Sequence, residues 1–291
     1  MKTLTQLLFA GLALLAASCS NESDETVINQ LTPVRVHVDG FTVEQESLSR
    51  VTRAVQDLAD YSDVNAVTLA FYKSDDTEAY KSTQAKGDAN YGEFSLSLPM
   101  GSYTMVVVAY YTNENSVLTL SSSTQASYNV RARETFVYTK AVKISDNNPV
   151  DIGATLNRIV SMLTVVSSDG KTDNVSNVRM TFSAGGKDFD PTTGLAITTT
   201  GLINTVGNSA SAGAKSTSST MLFLNTDEQD IDVTIETLDA DGNTLFKETV
   251  NNVPFKRNRV TKLTGRMYTN DAVGGTFKVE TDWLDQEEMN F

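Results

Sequence analysis

Short runs in which apolar and polar residues alternate are the feature that most constrains the fold of this chain. The run Leu31 to Val38 has a valine at every second position from Val34 onward, and the run 94–98 alternates apolar residues with serines. An alternation with a period of two indicates a half-buried strand. Turn-forming residues separate such runs along the sequence, which predicts an all-β fold built as a sandwich or barrel.

Several local pairings follow from these runs. The runs 94–98 and 103–111 flank Pro99-Met100-Gly101 and are predicted to form a hairpin, as are the runs 231–238 and 245–253 across an Asp-Gly turn. Residues 201–219 are rich in Gly, Ser, Ala, Asn and Thr and predict a long polar loop. The segment Leu48 to Tyr61 is predicted to be either a helix or a loop.

The length of the chain allows two domains. After a leader segment, about 270 residues remain, which is enough for two domains of ordinary size. The pattern breaks at an Asp-Asn-Asn-Pro stretch before residue 150. We therefore predict two tandem β-sandwich domains, immunoglobulin-like or transthyretin-like, over residues 31–150 and 151–291. The chain has one cysteine, so apolar cores and not disulfides must hold these domains together.

The first eighteen residues predict a secretory signal peptide. Lys2 is their only charge, and the uninterrupted apolar run 7–17 follows it. This run is shorter than the roughly 20 residues that span a bilayer. The small residues Ala16, Ala17 and Ser18 lead into Cys19, and together they resemble a bacterial lipobox, although Ala16 stands where the stricter pattern has Leu, Val or Ile. This resemblance implies cleavage before Cys19 and a lipid on its sulfur; a plain secretory signal with an incidental cysteine is the alternative.

The residues after Cys19 are polar and acidic. Glu22, Asp24 and Glu25 lie in the segment 19–30, which is too polar to bury a core and predicts a flexible tether. The segment resembles the acidic tag of surface-exposed Bacteroidetes lipoproteins, while a tether that faces the periplasm remains open. The whole chain carries a net charge of −13, which disfavours nucleic acid as a partner.

The residue inventory argues against the common catalytic chemistries. His37 is the only histidine and alternates with valines in a strand, so we expect it to be an exposed strand residue and not a catalytic base. With Cys19 acylated, no thiolate nucleophile and no Cys/His zinc site remain. The segment Asp239 to Asn243 predicts a hairpin turn and not a calcium loop, because Val250 stands where the twelfth-position glutamate is needed. We predict a non-enzyme with no catalytic residue, cofactor or metal.

Three further stretches resemble the fimbrillin superfamily of Bacteroidetes pilins. Residues 98–103 read LPMGSY and are similar to the hairpin "L-P-x-G-x-Y" of those proteins. Leu156-Asn157-Arg158 before an apolar strand is similar to the start of their second domain. Residues 258–265 read NRVTKLTG and resemble their near-C-terminal "N-R-x-T-x-L-x-G" strand. The order and spacing of these stretches extend the resemblance over essentially the whole mature chain.

The resemblance implies a role on the cell surface. Fimbrillin-like proteins are lipoprotein-derived subunits, anchors or tips of filaments at the outer membrane. In the polymerising members a protease cuts after an arginine and removes the first strand, and a strand of a neighbouring subunit fills the groove by β-augmentation. Arg50 and Arg53 are the candidate cleavage sites here, and Leu31 to Val38 would be the removed strand. Other fimbrial subunits, the outer membrane and host proteins or glycans are the implied partners.

Two other functions remain open from the sequence. One is a monomeric surface lipoprotein that binds glycan or protein through its loops. The other is a hydrolase that uses a pair of carboxylates across a cleft, for which the abundant acidic residues supply candidates. The sequence does not distinguish a stalk, an anchor and a tip subunit.

Overall fold

The structure is a computed structural model that describes residues 30–47, 50–58, 60–269 and 277–280. These residues form strands joined by turns and contain no α-helix. Accordingly, no helix in this part of the chain is long and apolar enough to cross a membrane. The predicted all-β fold with β-sandwich domains is confirmed.

The first ten strands cover the sequence up to Arg158. They are β1 (Leu31–Ser47), β2 (Arg50–Gln56), β3 (Ala66–Lys73), β4 (Glu78–Ala85), β5 (Glu93–Pro99), β6 (Gly101–Tyr110), β7 (Leu118–Ser122), β8 (Gln125–Tyr128), β9 (Thr135–Ile144) and β10 (Val150–Arg158). Eight of them make one sheet in the order β2-β1-β10-β9-β6-β3-β4, and β5 pairs with β1. Apolar side chains of β1, β3, β5, β6, β9 and β10 share one core.

The remaining described strands are β11 (Ser161–Ser167), β12 (Asn177–Phe182), β13 (Asp188–Asp190), β14 (Leu195–Ala196), β15 (Leu202–Gly207), β16 (Thr217–Leu222), β17 (Glu228–Leu238), β18 (Thr244–Lys256), β19 (Val260–Gly265) and β20 (Lys278–Glu280). Two four-stranded sheets, β16-β11-β19-β20 and β15-β12-β17-β18, enclose a second core. The predicted β17–β18 hairpin is confirmed.

A small sheet and a third core join the two halves of the chain. The sheet has the order β14-β13-β8-β7 and so combines strands from before and after residue 150. The third core packs Tyr128 of the first half against Phe189 and Phe223 of the second half. The predicted division at residue 150 stays a prediction. Strand β10, which begins there, hydrogen-bonds with β1 and β9, so the first sheet extends to Arg158.

Three local predictions are wrong. Strands β5 and β6 do not form a hairpin: β5 pairs with β1, whereas β6 pairs with β3 and β9, and the Tyr103 hydroxyl donates to the Pro99 carbonyl across the corner between them at 2.8 Å. The segment 48–61 is neither helix nor loop throughout, because residues 50–56 form β2 against β1. The predicted loop 201–219 contains strand β15 and the start of β16, which are polar because each lies at the edge of its sheet.

One half-buried carboxylate fixes the chain beyond β19. The Asp169 carboxylate accepts hydrogen bonds from the backbone N–H groups of Met267, Tyr268 and Thr269 at 2.9–3.0 Å and from the Thr269 hydroxyl at 2.9 Å. Partial burial alone would raise the pKa of Asp169, but these donors outweigh it and hold the pKa below its usual range. The carboxylate therefore stabilises the fold only while it is ionised.

Asp169→Asn is expected to lower the free energy of unfolding by about 2–3 kcal/mol at neutral pH, because the amide replaces one acceptor oxygen by a donor facing N–H groups. The lowered pKa means that wild-type stability is fully present above the unfolded-state pKa and falls as the pH drops through the folded-state value. The difference between the two proteins should therefore shrink in acid. Urea unfolding at several pH values measures it, with the exposed Asp173→Asn as the control; equal stability of all three proteins would contradict the role of Asp169.

Candidate assembly site

The first half of β1 is held by strands on both of its sides. Residues 34–38 pair in parallel with β10, so that Val34 lies opposite Val150 and Val36 opposite Ile152. On the other side, residues 31–37 pair antiparallel with β5, and Val36 lies opposite Phe94. A strand with two neighbours fills a slot in the sheet, and its removal would leave two open edges.

Alternate side chains of β1 enter the first core. Val34 is 2% exposed, and Val36 and Phe41 are fully buried. Thr32 is also buried, and its hydroxyl donates to the Asp146 carbonyl at 2.7 Å. Full burial of a valine or phenylalanine contributes roughly 1.5–3 kcal/mol. The inward face of β1 is therefore a substantial part of the core and not a loose covering.

The outward face of β1 carries charged and polar contacts. The Arg35 guanidinium lies 2.9 Å from the Glu93 carboxylate on β5. The His37 imidazole lies 3.2 Å from the Asp151 carboxylate on β10 and 3.2 Å from that of Asp39. His37 lies on the polar face of β1, where the sequence predicts it, and its side chain is half-buried. These contacts link β1 to both neighbours at modest energy, because they face solvent.

A bulge redirects β1 after its first half. The register with β10 shifts between Val38 and Gly40, and Gly40 has a φ of 136°, which favours glycine. Beyond the bulge, β1 continues along β10 but exchanges β5 for β2 as its antiparallel neighbour. Strand β1 therefore lies between β10 and β5 in its first half and between β10 and β2 in its second half.

The two candidate cleavage residues lie in the return strand of this hairpin. Arg50 pairs with Ser47, and Arg53 pairs with Glu44. Strand β2 ends the sheet, so its second backbone edge has no strand partner among the described residues. Proteases bind their substrates in an extended conformation, and an edge strand already presents its backbone in that form. The cleavage itself stays a prediction.

A buried ion pair supports the end of β10 beside β1. The Arg158 guanidinium donates to the Glu134 carboxylate at 2.7 Å, and the two side chains are 12% and 5% exposed. The same guanidinium donates to the Tyr61 hydroxyl and lies 5.3 Å from the Phe136 ring centroid. The Phe41 ring packs on Phe136 at 4.1 Å, so the ion pair and β1 share one aromatic cluster.

Arg158 stands out in the sequence only as part of the motif Leu156-Asn157-Arg158, and no sequence pattern marks Glu134. Their signal was weak, because each is one charged residue beside a strand in a chain rich in charge. The other buried glutamate of the described chain, Glu236, likewise pairs with an arginine, Arg179, at 2.7 Å. The segment around Asp239 forms the predicted turn, in which its carboxylate accepts the backbone N–H groups of Asp241 and Asn243.

Other predicted features are not part of this assembly site. Cys19, the signal peptide and all of the tether except Gln30 lie outside the described residues. Within the described ranges, no group of three or more His, Cys, Asp or Glu side chains could hold a metal ion. Strand β1 in its slot is therefore the feature with a distinct functional geometry.

Comparison with known structures shows that the fold is shared with candidate adhesins and a fimbrial protein. Two candidate adhesins from Bacteroides ovatus superpose with a TM-score of 0.54 each; they are 13% and 12% identical and cover 81% and 89% of this chain and 88% and 96% of their own. The fimbrial anchor protein Mfa2 from Porphyromonas gingivalis superposes with a TM-score of 0.50 at 9% identity and covers 86% of this chain and 98% of its own. The fold is fimbrillin-like, as the sequence motifs predict.

The family is defined by sequence. The model of the family described as "Family of unknown function (DUF6562)" matches residues 32–288, so the chain belongs to this family. No curated protein matches the chain.

Proposed function

We propose that the protein is a non-enzymatic structural or adhesive subunit of a cell-surface fimbria, which a lipid on Cys19 anchors to the outer membrane before the subunit is cleaved and assembled. The observation that carries the proposal is the slot occupied by β1 between β10 and β5. The fold shared with the fimbrial anchor protein and the candidate adhesins supports it. The lone cysteine after an apolar leader supports the lipid anchor.

Assembly would proceed by donor-strand exchange. Cleavage after Arg50 or Arg53 would release a segment that contains Val34, Val36 and Phe41, and the loss of their burial amounts to roughly 5–9 kcal/mol. It would also expose unpaired backbone groups on β5 and β10. A strand from a neighbouring subunit with apolar residues at alternate positions would restore both contributions. The recovered burial and backbone pairing drive the exchange, and the need for apolar residues at alternate positions makes it selective.

A gel experiment tests the proposal. Material sheared from the surface of native cells is run without boiling on a denaturing gel and probed with an antibody to this protein. A ladder that collapses on boiling is expected, because an inserted strand is held by a complete fold and resists detergent. The N-terminal residue of the boiled band distinguishes cleavage after Arg50 from cleavage after Arg53.

Matched variants separate anchoring from polymerisation. Cys19→Ala should release the protein from membranes, and the paired change of Arg50 and Arg53 to alanine should abolish the ladder while leaving export intact. Arg35→Ala serves as the control, because it removes one arginine from an exposed pair outside the candidate cleavage segment. A single monomer band that stays with the membranes in the wild-type strain and is released by Cys19→Ala would rule out a polymerising subunit and leave an anchor subunit or the glycan- or protein-binding lipoprotein.

A further inference from the structure

A small cavity lies where the loop before β9 meets strands β11 and β16. Its volume is about 290 Å³. Arg131 and Arg133 line it from the loop, together with Ala132, and Met162 and Met221 line it from the second half of the chain. This volume is at the lower end of ligand pockets and suits a small organic group.

The two arginines differ from others in the chain. Four arginines of the described residues form ion pairs with carboxylates, namely Arg35, Arg158, Arg179 and Arg257. Within the described ranges, neither Arg131 nor Arg133 has a carboxylate within ion-pair distance. The whole protein has a net charge of −13, whereas this cavity contains two half-buried arginines without a paired carboxylate. The cavity is therefore locally positive in an acidic protein.

Arg133 carries an unsatisfied donor. Its Nε atom is buried and has no hydrogen-bond partner. Its guanidinium carbon lies over the Tyr111 ring, 5.6 Å from the ring centroid. Burial and the neighbouring charge of Arg131 lower the pKa of Arg133, so the cavity disfavours the positive charge that it nevertheless holds. A buried donor of this kind is costly unless a ligand supplies the acceptor.

The lining restricts the ligand further. Asp63 also faces the cavity, and the Glu134 carboxylate is already held by Arg158 at 2.7 Å. One net positive charge therefore remains, which suits a singly charged anion better than a phosphate dianion. Guanidinium groups bind planar carboxylates through paired hydrogen bonds. The side chains of Ala132, Met162 and Met221 offer apolar contacts next to the charged groups.

From this arrangement we propose that the cavity binds a carboxylate attached to an apolar body, with Arg133 and Arg131 on the carboxylate and the methionines on the apolar part. Two sources carry that chemistry, a free small organic acid and the C-terminal residue of a polypeptide. The site is independent of β1 and goes beyond the proposed assembly function, because it would operate in a monomer as well as in a filament.

Saturation-transfer NMR on the full-length protein tests the site with defined probes. N-acetyl-L-leucine should bind at least tenfold more tightly than N-acetyl-L-leucinamide, because only the acid satisfies the arginines. Glucuronate should bind more weakly than N-acetyl-L-leucine, since it lacks an apolar body. Tighter binding of a leucine-terminated peptide than of N-acetyl-L-leucine would identify a polypeptide end as the source, and weaker binding of the peptide would identify a free acid.

Two variants and a control locate the binding. Arg133→Gln and Arg131→Gln should each weaken N-acetyl-L-leucine binding tenfold or more, whereas Arg35→Gln should leave it unchanged. Thermal unfolding of each protein shows whether the fold is intact; if Arg133→Gln unfolds, Arg131→Gln alone decides. Equal binding of acid and amide, stronger binding of glucuronate, or undiminished binding in a folded Arg131→Gln protein would each overturn the proposal.

Discussion

Replacement of Arg158 by methionine is expected to lower the free energy of unfolding at neutral pH by about 3–5 kcal/mol. The substitution leaves the Glu134 carboxylate, which is 5% exposed, without its counter-ion. It also removes the donor to the Tyr61 hydroxyl and the cation above Phe136. Urea unfolding followed by circular dichroism measures the loss.

The pH dependence and a control make this result specific. Burial raises the pKa of Glu134 even in the presence of Arg158, so the deficit should shrink as the pH falls toward the ordinary pKa of a glutamate. Arg35→Met breaks an exposed pair and should leave the free energy of unfolding almost unchanged. The double change of Arg158 to methionine and Glu134 to leucine should recover much of the stability. A single-variant loss as small as that of the control would contradict a structural role for the buried pair.

A chain that begins at Ala54 is expected to fold stably only when a peptide of residues 30–47 is supplied. The missing segment includes the buried side chains of Val34, Val36 and Phe41, whose burial contributes roughly 5–9 kcal/mol. That amount is comparable to the whole stability of a typical domain. Refolding the shortened chain with increasing peptide should therefore raise the melting temperature in a saturable manner.

The peptide sequence provides the matched control. A peptide with Val36→Asp keeps the length and places a charge at a fully buried position, so it should not restore the fold. A peptide with Arg35→Gln changes an exposed position on the other face without adding a carboxylate beside Glu93, so it should restore the fold nearly as well as the native peptide. A shortened chain with the same melting temperature as the full chain, without peptide, would show that the slot of β1 is not required for the fold.

Local features of the fold could be predicted because their causes are local. The alternating valines of β1 and the apolar run of β6 identify strands, and the Asp-Gly turn after Asp239 identifies a hairpin. The partner of each strand, in contrast, could not be predicted from nearby residues. The Pro99–Gly101 turn has the same residues whether the chain returns to its neighbour or crosses to another part of the sheet, so nothing nearby in sequence assigns β5 to β1.

Edge strands and buried ion pairs could not be predicted from the sequence. Strand β4 alternates only between half-buried and exposed residues, and it lies at the end of the first sheet. Such a strand lacks the apolar period that marks a core strand. The pairing of Glu134 with Arg158 and the cavity beside Arg133 depend on contacts between distant segments, which a single sequence does not reveal.

The parallel pairing of β1 with β10 also sets an order of events during folding. Val34 is synthesised early, but its partner Val150 follows only after most of the first half of the chain. A parallel pair requires a long connection and forms late, because the loop between its strands must close first. We therefore expect the first strand to be synthesised to be among the last to be fixed, so that strand exchange would act on a contact that the chain makes at the end of its folding.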